Sequence, residues 1–383
     1  MNILVLGVGR VGRVIAEDLS RHPDYIVHVA DIFQSNLDSV RLPPSSQKYC
    51  CDLSNDQSLI GSFDLYINAL PGDIGYETLK TLVQMGKRVV DISFFAQDAD
   101  PLHEIAKETR ASVVYDCGVA PGMSNMIAGR FQEEFDSMES LEIYVGGLPK
   151  VRTWPFEYKA VFSPSDVIEE YIRPARIVVN GALHIREALS DVELMNFSGV
   201  GTLEAFNTDG LRSLVHTISA QNMKEKTLRY PGHVEKMLFL REIGFFSQEE
   251  VAIPSNGCTL SPLSFTNEMF RSHWELGKDE LDLTVMQVKA SGLLNGKATE
   301  IVYNLYDERD LSSGYTSMSR TTGFTATAMV HYMIEKSWRV PGVHPPELMG
   351  ASQECFEYVL RYLSERGVEY RRTDKVLSSS PLH

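Results

Sequence analysis

Residues 2–12 read Asn2-Ile3-Leu4-Val5-Leu6-Gly7-Val8-Gly9-Arg10-Val11-Gly12. The apolar run 2–6 has the length of a buried strand. After the glycines a helical pattern begins, with Val11, Val14, Ile15 and Leu19 on one face. A second apolar run, 26–30, ends on Asp31. Strand, glycine turn, helix, strand and acid in that order form the unit that binds a dinucleotide. Gly7 permits the tight turn, Gly9 lets the backbone approach a pyrophosphate, and Gly12 lets helix and strand pack closely. The helix start, at Arg10 and Val11, offers free N–H groups and a positive dipole end to the phosphates. Asp31 is placed to accept both ribose hydroxyls of an adenosine, and it would repel a 2′-phosphate. NAD is therefore expected over NADP, with Arg10 the one cation inside the turn that argues the other way.

Outward from this unit the same alternation continues. Residues 34–46, with Pro43-Pro44 and serines, read as a polar connection. A third strand, 48–51, ends on Asp52, which either reaches an adenine amino group or caps 54–59. A fourth, 65–70, runs into Ala69, Leu70, Pro71 and Gly72, a turn of small residues expected beside the cofactor. A helix over 76–85 closes on Gly86, strand 89–92 leads to Ser93-Phe94, and helix 102–109 precedes strand 112–115. Six strands alternating with helices predict a doubly wound parallel sheet of Rossmann type in an α/β protein.

The sixth strand empties into Asp116-Cys117-Gly118-Val119-Ala120-Pro121-Gly122-Met123, where the pattern changes. A domain boundary is expected here, with residues 1–121 binding the dinucleotide and a mixed α/β region over 122–320 following. Within the latter, 141–145, 203–207 and 226–230 read as strands and 235–241 as helix. Ser163 and Pro164 start another helix. Asn180-Gly181 and Asn295-Gly296 mark hairpins and hence an antiparallel sheet. Thr321 or Thr322 is placed to cap a long helix, 323–336. A helix over 347–366 and a loose polar tail close the chain.

The chain's 383 residues favour two domains, and 43% hydrophobic with 23% charged residues is an ordinary globular composition. The net charge of -15 argues against nucleic acid and anionic membrane as partners. Five cysteines without metal or disulfide spacing imply a reducing compartment and no metal site. Met1 runs straight into the first strand and no apolar run reaches membrane-spanning length, so a cytoplasmic protein is expected.

Several stretches resemble the saccharopine dehydrogenase family, and within it the lysine 6-dehydrogenases. They are Gly7–Gly12, Asp116–Met123, Tyr144-Val145-Gly146-Gly147, Glu157-Tyr158 with Val161-Phe162-Ser163, and Leu203-Glu204-Ala205-Phe206. Arg229-Tyr230 with Gly232-His233, Arg320-Thr321-Thr322 and Pro345-Pro346-Glu347 complete the set. The resemblance implies that the 122–320 domain binds substrate, closes over the cofactor and makes subunit contacts, that a C-terminal segment, 321–383, returns to the first domain, and that the chain forms a homodimer or homotetramer. In the glutamate-forming branch a Ser-Tyr pair and the Asp of an Asp-Pro-Gly turn hold the substrate; here those places carry Ser93-Phe94 and Ala120-Pro121-Gly122. The Ala-Pro-Gly form points to oxidation of the lysine ε-amine with release of ammonia. Glutamate-forming saccharopine dehydrogenase and a non-catalytic NAD-sensing protein are the alternatives.

Such chemistry needs an acceptor for the amine proton and a cation for the substrate carboxylate. Asp91, Glu157, Glu204 and His233 are the candidate bases, and Tyr158 a hydrogen-bonding partner of the amine. Arg229 and then Arg320 are the candidate carboxylate cations, each equally suited to a structural ion pair. Cys117 reads as inert packing.

Overall fold

The computed structural model describes residues 1–53, 59, 61–160, 164–253, 257–277 and 279–377. The first sheet has seven parallel strands in the spatial order Gly342–His344, Ser112–Val114, Arg88–Asp91, Leu65–Asn68, Asn2–Leu6, Ile26–Asp31 and Lys48–Cys50. Side chains alternate across it. Ile3, Val5, Val27 and Val29 enter one apolar cluster, while Leu4, Leu6 and Ala30 enter another on the opposite face. Burial on both faces is what a parallel sheet requires, and it explains the unbroken apolar runs. The strand order reverses beside Asn2–Leu6, which opens a crevice at the carboxyl ends of Asn2–Leu6 and Leu65–Asn68. Helix Arg10–Leu19 packs against helix Ser317–Glu335, so the C-terminal part returns to this sheet with both a helix and a seventh strand.

The second sheet is mixed, not purely antiparallel. Its path is Glu193–Phe197, Gly201–Asn207, Ala220–Arg229, Ser137–Pro149, Asp282–Leu294, Lys297–Glu308 and Tyr370–Val376. The hairpin Ala175–Val179/Ala182–Arg186 attaches beside Ala220–Arg229. Both Asn-Gly turns are two-residue hairpins with all four residues at positive φ, from 50° to 75°. The antiparallel expectation fails at one pair: Ala220–Arg229 runs parallel to Ser137–Pro149. The chain between these two strands is a long excursion containing helix Pro164–Ile172, not a turn.

Other local expectations are corrected. The 34–46 connection contains helix Gln34–Ser39, and the helix expected from 76 starts at Gly72. The long C-terminal helix is capped by Thr316, whose hydroxyl accepts from Ser319 N at 3.3 Å, and not by Thr321 or Thr322. Ser and Thr recur throughout this stretch, so residue type alone did not place the cap. The 347–366 helix is two, Pro346–Ala351 and Gln353–Ser364, the second capped by Ser352. The polar tail forms the edge strand Tyr370–Val376, whose Arg371, Arg372 and Lys375 suit an edge that must not recruit further strands. Ser163, expected as a cap, and residues 54–58, in the segment that Asp52 was expected to cap, lie outside the described residues. Among the described residues no helix is long and apolar enough to cross a membrane.

Candidate active site

A cleft of about 790 Å3 runs between the two sheets. It brings together Gly7, Gly9, Arg10, Val11, Gly12, Asp31, Asp52, Ala69, Leu70 and Pro71 from the first sheet, with Val145, Gly146, Gly147, Thr227 and Arg229 from the second. The glycines differ in what they do. Gly7 sits at φ +82°, and a Cβ there would lie 2.6 Å from Ala69 O. A Cβ on Gly12 would lie 1.9 Å from Gly7 O, so helix and turn touch backbone to backbone. A Cβ on Gly9 meets nothing within 4 Å, because it would project into open space. The helical ladder starts with Arg13 N donating to Gly9 O at 3.1 Å, so the amides of Arg10, Val11 and Gly12 precede the first helical bond.

Asp31 is buried at the end of its strand and fixed from both sides. Its Oδ2 accepts Val8 N at 2.8 Å, its Oδ1 accepts Phe33 N at 2.8 Å, and the Asn36 amide donates to it at 3.2 Å. The side chain still lines the cleft. Open backbone at Gly9, free helical amides and a rigid carboxylate fit a diphosphate and its ribose. Arg10 does not turn toward Asp31. Its Nη1 donates to Ala160 O at 2.8 Å, linking the glycine turn to the second part of the chain.

At its inner end the cleft is lined by Phe94, Ala120, Pro121, Val145, Glu170 and Thr227, which also line a small chamber of about 40 Å3. That chamber adds groups the sequence reading missed: Glu169, Arg173, Thr208, Asp209 and Glu225. Arg229 is buried, with all three nitrogens engaged. Nη2 donates to Glu170 at 2.7 Å, Nη1 to Leu228 O at 3.0 Å, and Nε to Tyr171 Oη at 3.3 Å. Burial alone would lower its pKa, but Tyr158, Tyr171 and Glu170 together raise it. Arg173 differs: its buried Nη1 has no hydrogen-bond partner among the described residues, and its guanidinium stacks on Phe94 at 5.1 Å. The pattern that could have revealed this end was the run of polar residues two apart, Glu225, Thr227 and Arg229, on one strand face.

Seven expected site residues lie off the cleft lining. Asp91 is fully buried beneath the turn. It accepts Ser93 N at 2.8 Å and the Asn68 amide at 2.5 Å, and burial holds its carboxyl well above the usual range. Ser93 backs the same turn against Gly75, its buried hydroxyl without a partner among the described residues. Glu157 is spent on Arg152. Tyr158 packs edge-on to Trp274, with the Arg229 guanidinium 4.4 Å from its ring centre. His233 lies between Tyr171 Oη at 2.9 Å and Phe156 O at 3.1 Å, and burial lowers its pKa to about 3. It is a neutral link holding Tyr171, and Tyr171 in turn accepts from Arg229. Arg320 pairs with Asp307 at 3.2 Å. Glu204 caps helix His233–Glu242 by accepting Gly232 N at 3.0 Å and Val234 N at 2.6 Å. Cys117 is buried, and burial pushes its thiol far up.

Residues 3–114 match the family model described as saccharopine dehydrogenase NADP binding domain, and residues 118–368 that described as saccharopine dehydrogenase C-terminal domain. The alpha-aminoadipic semialdehyde synthase of Arabidopsis thaliana is 25% identical over 304 residues, covering 67% of this chain and 28% of that protein. The saccharopine dehydrogenase [NADP(+), L-glutamate-forming] of Schizosaccharomyces pombe is 25% identical over 263 residues, covering 64% of this chain and 58% of that protein. The chain thus spans less than two thirds of either relative. Apo saccharopine dehydrogenase (L-Glu forming) from Saccharomyces cerevisiae shares the fold with a TM-score of 0.79 at 18% identity, covering 98% of this chain and 100% of that one. Homospermidine synthase from Legionella pneumophila, solved with NAD, gives 0.65 at 11% identity, covering 100% and 93%. With both halves of the chain matched in order, and with the glycine turn and its acid facing one cleft, the chain belongs to the saccharopine dehydrogenase family.

Proposed function

We propose that this chain is an NAD-dependent dehydrogenase acting on the C–N bond of a basic amino acid, oxidising the ε-amine of L-lysine to an aldehyde with release of ammonia. The observation that carries the reading is the cleft that joins the Gly7–Gly12 turn and Asp31 to Arg229 and Glu170, next to a chamber lined by Arg173 and carboxylates. A substrate with a carboxylate at one end and an amine at the other needs both signs. The unspent Nη1 of Arg173 suits the carboxylate, with Arg229 beside it held rigid by its three bonds. Ala120 lines the cleft where the glutamate-forming branch is expected to carry an Asp. Asp31 favours NAD, since its carboxylate faces the ribose position and residues 32–40 contain no Lys or Arg.

Bound NAD would supply the hydride acceptor. The chain's own part is to anchor the carboxylate, accept the amine proton and present the reacting carbon in one orientation. The test is absorbance at 340 nm with L-lysine and NAD, against saccharopine with NAD and NADP. Reduction with lysine supports the reading; none with any diamine or basic amino acid overturns it. Saccharopine oxidation is the second reading, favoured by an arginine on the cleft, Arg229, and another on the adjoining chamber, Arg173, because saccharopine carries several carboxylates. Turnover of saccharopine and not lysine would select it.

A further inference from the structure

Along strand Ala220–Arg229, Glu225 and Thr227 face the chamber and Arg229, on the same strand face, lines the adjoining cleft, while Lys224 and Lys226 on the other face pair with Glu193 at 3.1 and 2.8 Å. Glu225 is fully buried, and its Oε2 accepts Thr208 Oγ1 at 2.6 Å and Gly210 N at 3.0 Å. Thr227 Oγ1 lies 2.8 Å from Thr208 Oγ1, continuing the hydroxyl chain. The close approach of Gly210 is built in: a Cβ there would lie 2.3 Å from the Glu225 carboxyl carbon. The other acids of the chamber have cations. Glu170 is bonded to Arg229 at 2.7 Å, Asp209 to Arg176 at 2.8 Å, and Glu169 lies 3.7 Å from Arg173. Among the described residues no Lys, Arg or His is paired with Glu225. Its carboxyl is therefore the acid of the chamber left without a cation among the described residues, for a ligand to balance.

We propose that Glu225 takes the proton from the substrate's ammonium group at the inner end of the cleft. The proposal rests on the reading that this cleft oxidises an amine. The ammonium gives one proton to the Glu225 carboxylate and becomes a neutral amine. The nitrogen lone pair then forms the C=N bond as hydride leaves the carbon for NAD. Water adds to that carbon, ammonium departs and the aldehyde remains; the proton on Glu225 passes to solvent. Burial, with Glu170 and Asp209 nearby, raises the Glu225 pKa to about 8 against the hydrogen bonds from Thr208 and Gly210. At neutral pH it is then largely protonated, and turnover rises with pH as it ionises.

The test compares wild type, Glu225→Gln and Thr208→Val with L-lysine and NAD over pH 6–10. Wild type is expected to show an acid limb in kcat/KM centred near pH 8. Glu225→Gln should lose that limb and fall by about 100-fold or more in kcat/KM. Thr208→Val removes a donor to the charged form, so its limb should move to higher pH. A Glu225→Gln protein that keeps the limb and stays within about threefold of wild type overturns the proposal. If that variant does not fold, an unmoved limb in Thr208→Val overturns it.

If wild type oxidises no amine, the proposed activity fails on its own, and binding still decides Glu225. Calorimetry of L-lysine with the NADH-loaded protein at pH 7, in phosphate and in Tris, should show close to one proton released per lysine bound. The release should vanish in Glu225→Gln. No binding, or equal heats in both buffers for wild type, overturns the proposal.

Discussion

The Arg212 guanidinium clasps the Asp116 carboxylate through two bonds, Nε to Oδ2 at 2.9 Å and Nη2 to Oδ1 at 3.2 Å, with both side chains buried. Its remaining nitrogen, Nη1, donates to Phe95 O at 2.8 Å. Asp116 follows the strand Ser112–Val114 of the first sheet, and Arg212 precedes the strand Ala220–Arg229 of the second. The pair thus sets the spacing of the cleft walls. Phe94 lies in that wall, stacked on Arg212 at 5.2 Å and on Arg173 at 5.1 Å.

Removing one partner of a buried ion pair leaves a charge without compensation, which costs about 3–5 kcal/mol. Arg212→Leu is expected to lose that much in urea unfolding. Asp116→Leu combined with Arg212→Leu should recover a large part of it, because no buried charge is then left unpaired. Additive losses in the double variant would contradict this account.

Gly9 and Gly12 separate binding from folding. Gly12→Ala drives a methyl into Gly7 O, 1.9 Å away, so it is expected to lower the melting temperature by several degrees. Gly9→Ala meets open space, so the protein should melt within about a degree of wild type. Its methyl would nevertheless occupy the place of the diphosphate, and NADH affinity measured by fluorescence should fall at least about tenfold. Unchanged affinity in Gly9→Ala would remove the diphosphate from this corner.

Asp31 decides the cofactor. A hydrogen bond to a charged group contributes about 1.5–3 kcal/mol, and every 1.4 kcal/mol is tenfold in affinity. Asp31→Ser is therefore expected to weaken NADH by about 10- to 100-fold. NADPH, freed of the repulsion between carboxylate and 2′-phosphate, should lose much less or gain. Wild type preferring NADPH would mean that this acid does not face the ribose.

The gathering of the glycine turn and its acid at one end of the cleft was legible because its signals are local. Gly7, Gly9, Gly12 and Asp31 fall within one stretch, and switches from period two to period 3.6 mark the elements between them. Ala69, Leu70 and Pro71 followed from their place at a strand end. The inner chamber was not legible in the same way, since Arg173, Thr208 and Glu225 come from a helix end, a loop and a strand that meet only in the folded chain. Polar residues picked by type alone went astray for a common reason. Asp91, Glu204, His233 and Arg320 each have a partner off the cleft lining, and a sequence shows the polar group but not its partner. Both hairpins formed, but the antiparallel sheet inferred from them fails at Ala220–Arg229, which lies parallel to a strand far back in the chain.

His233 supplies the last prediction, and its sign is opposite to that of a catalytic base. In the unfolded chain its pKa is the ordinary 6.5, while burial first, and then the Arg229 charge, lowers it to about 3 in the folded protein. Below pH 6.5 the unfolded chain takes up a proton that the folded one refuses. The folded state therefore loses up to about 1.4 kcal/mol per pH unit down to about pH 3, and above pH 6.5 this contribution is constant. His331, lowered to about 4 by burial, adds a slope of its own that is common to wild type and variants and cancels in comparison. His233→Asn keeps a donor toward Phe156 O and removes the titration. It should be less stable than wild type at pH 7.5 yet lose stability more gently between pH 6 and 4.5, as measured by urea unfolding. Its kcat/KM should keep the same acid limb as wild type, because a residue that stays neutral throughout that range contributes none. Parallel stability slopes, or a limb that moves with this substitution, would return His233 to the list of candidate bases.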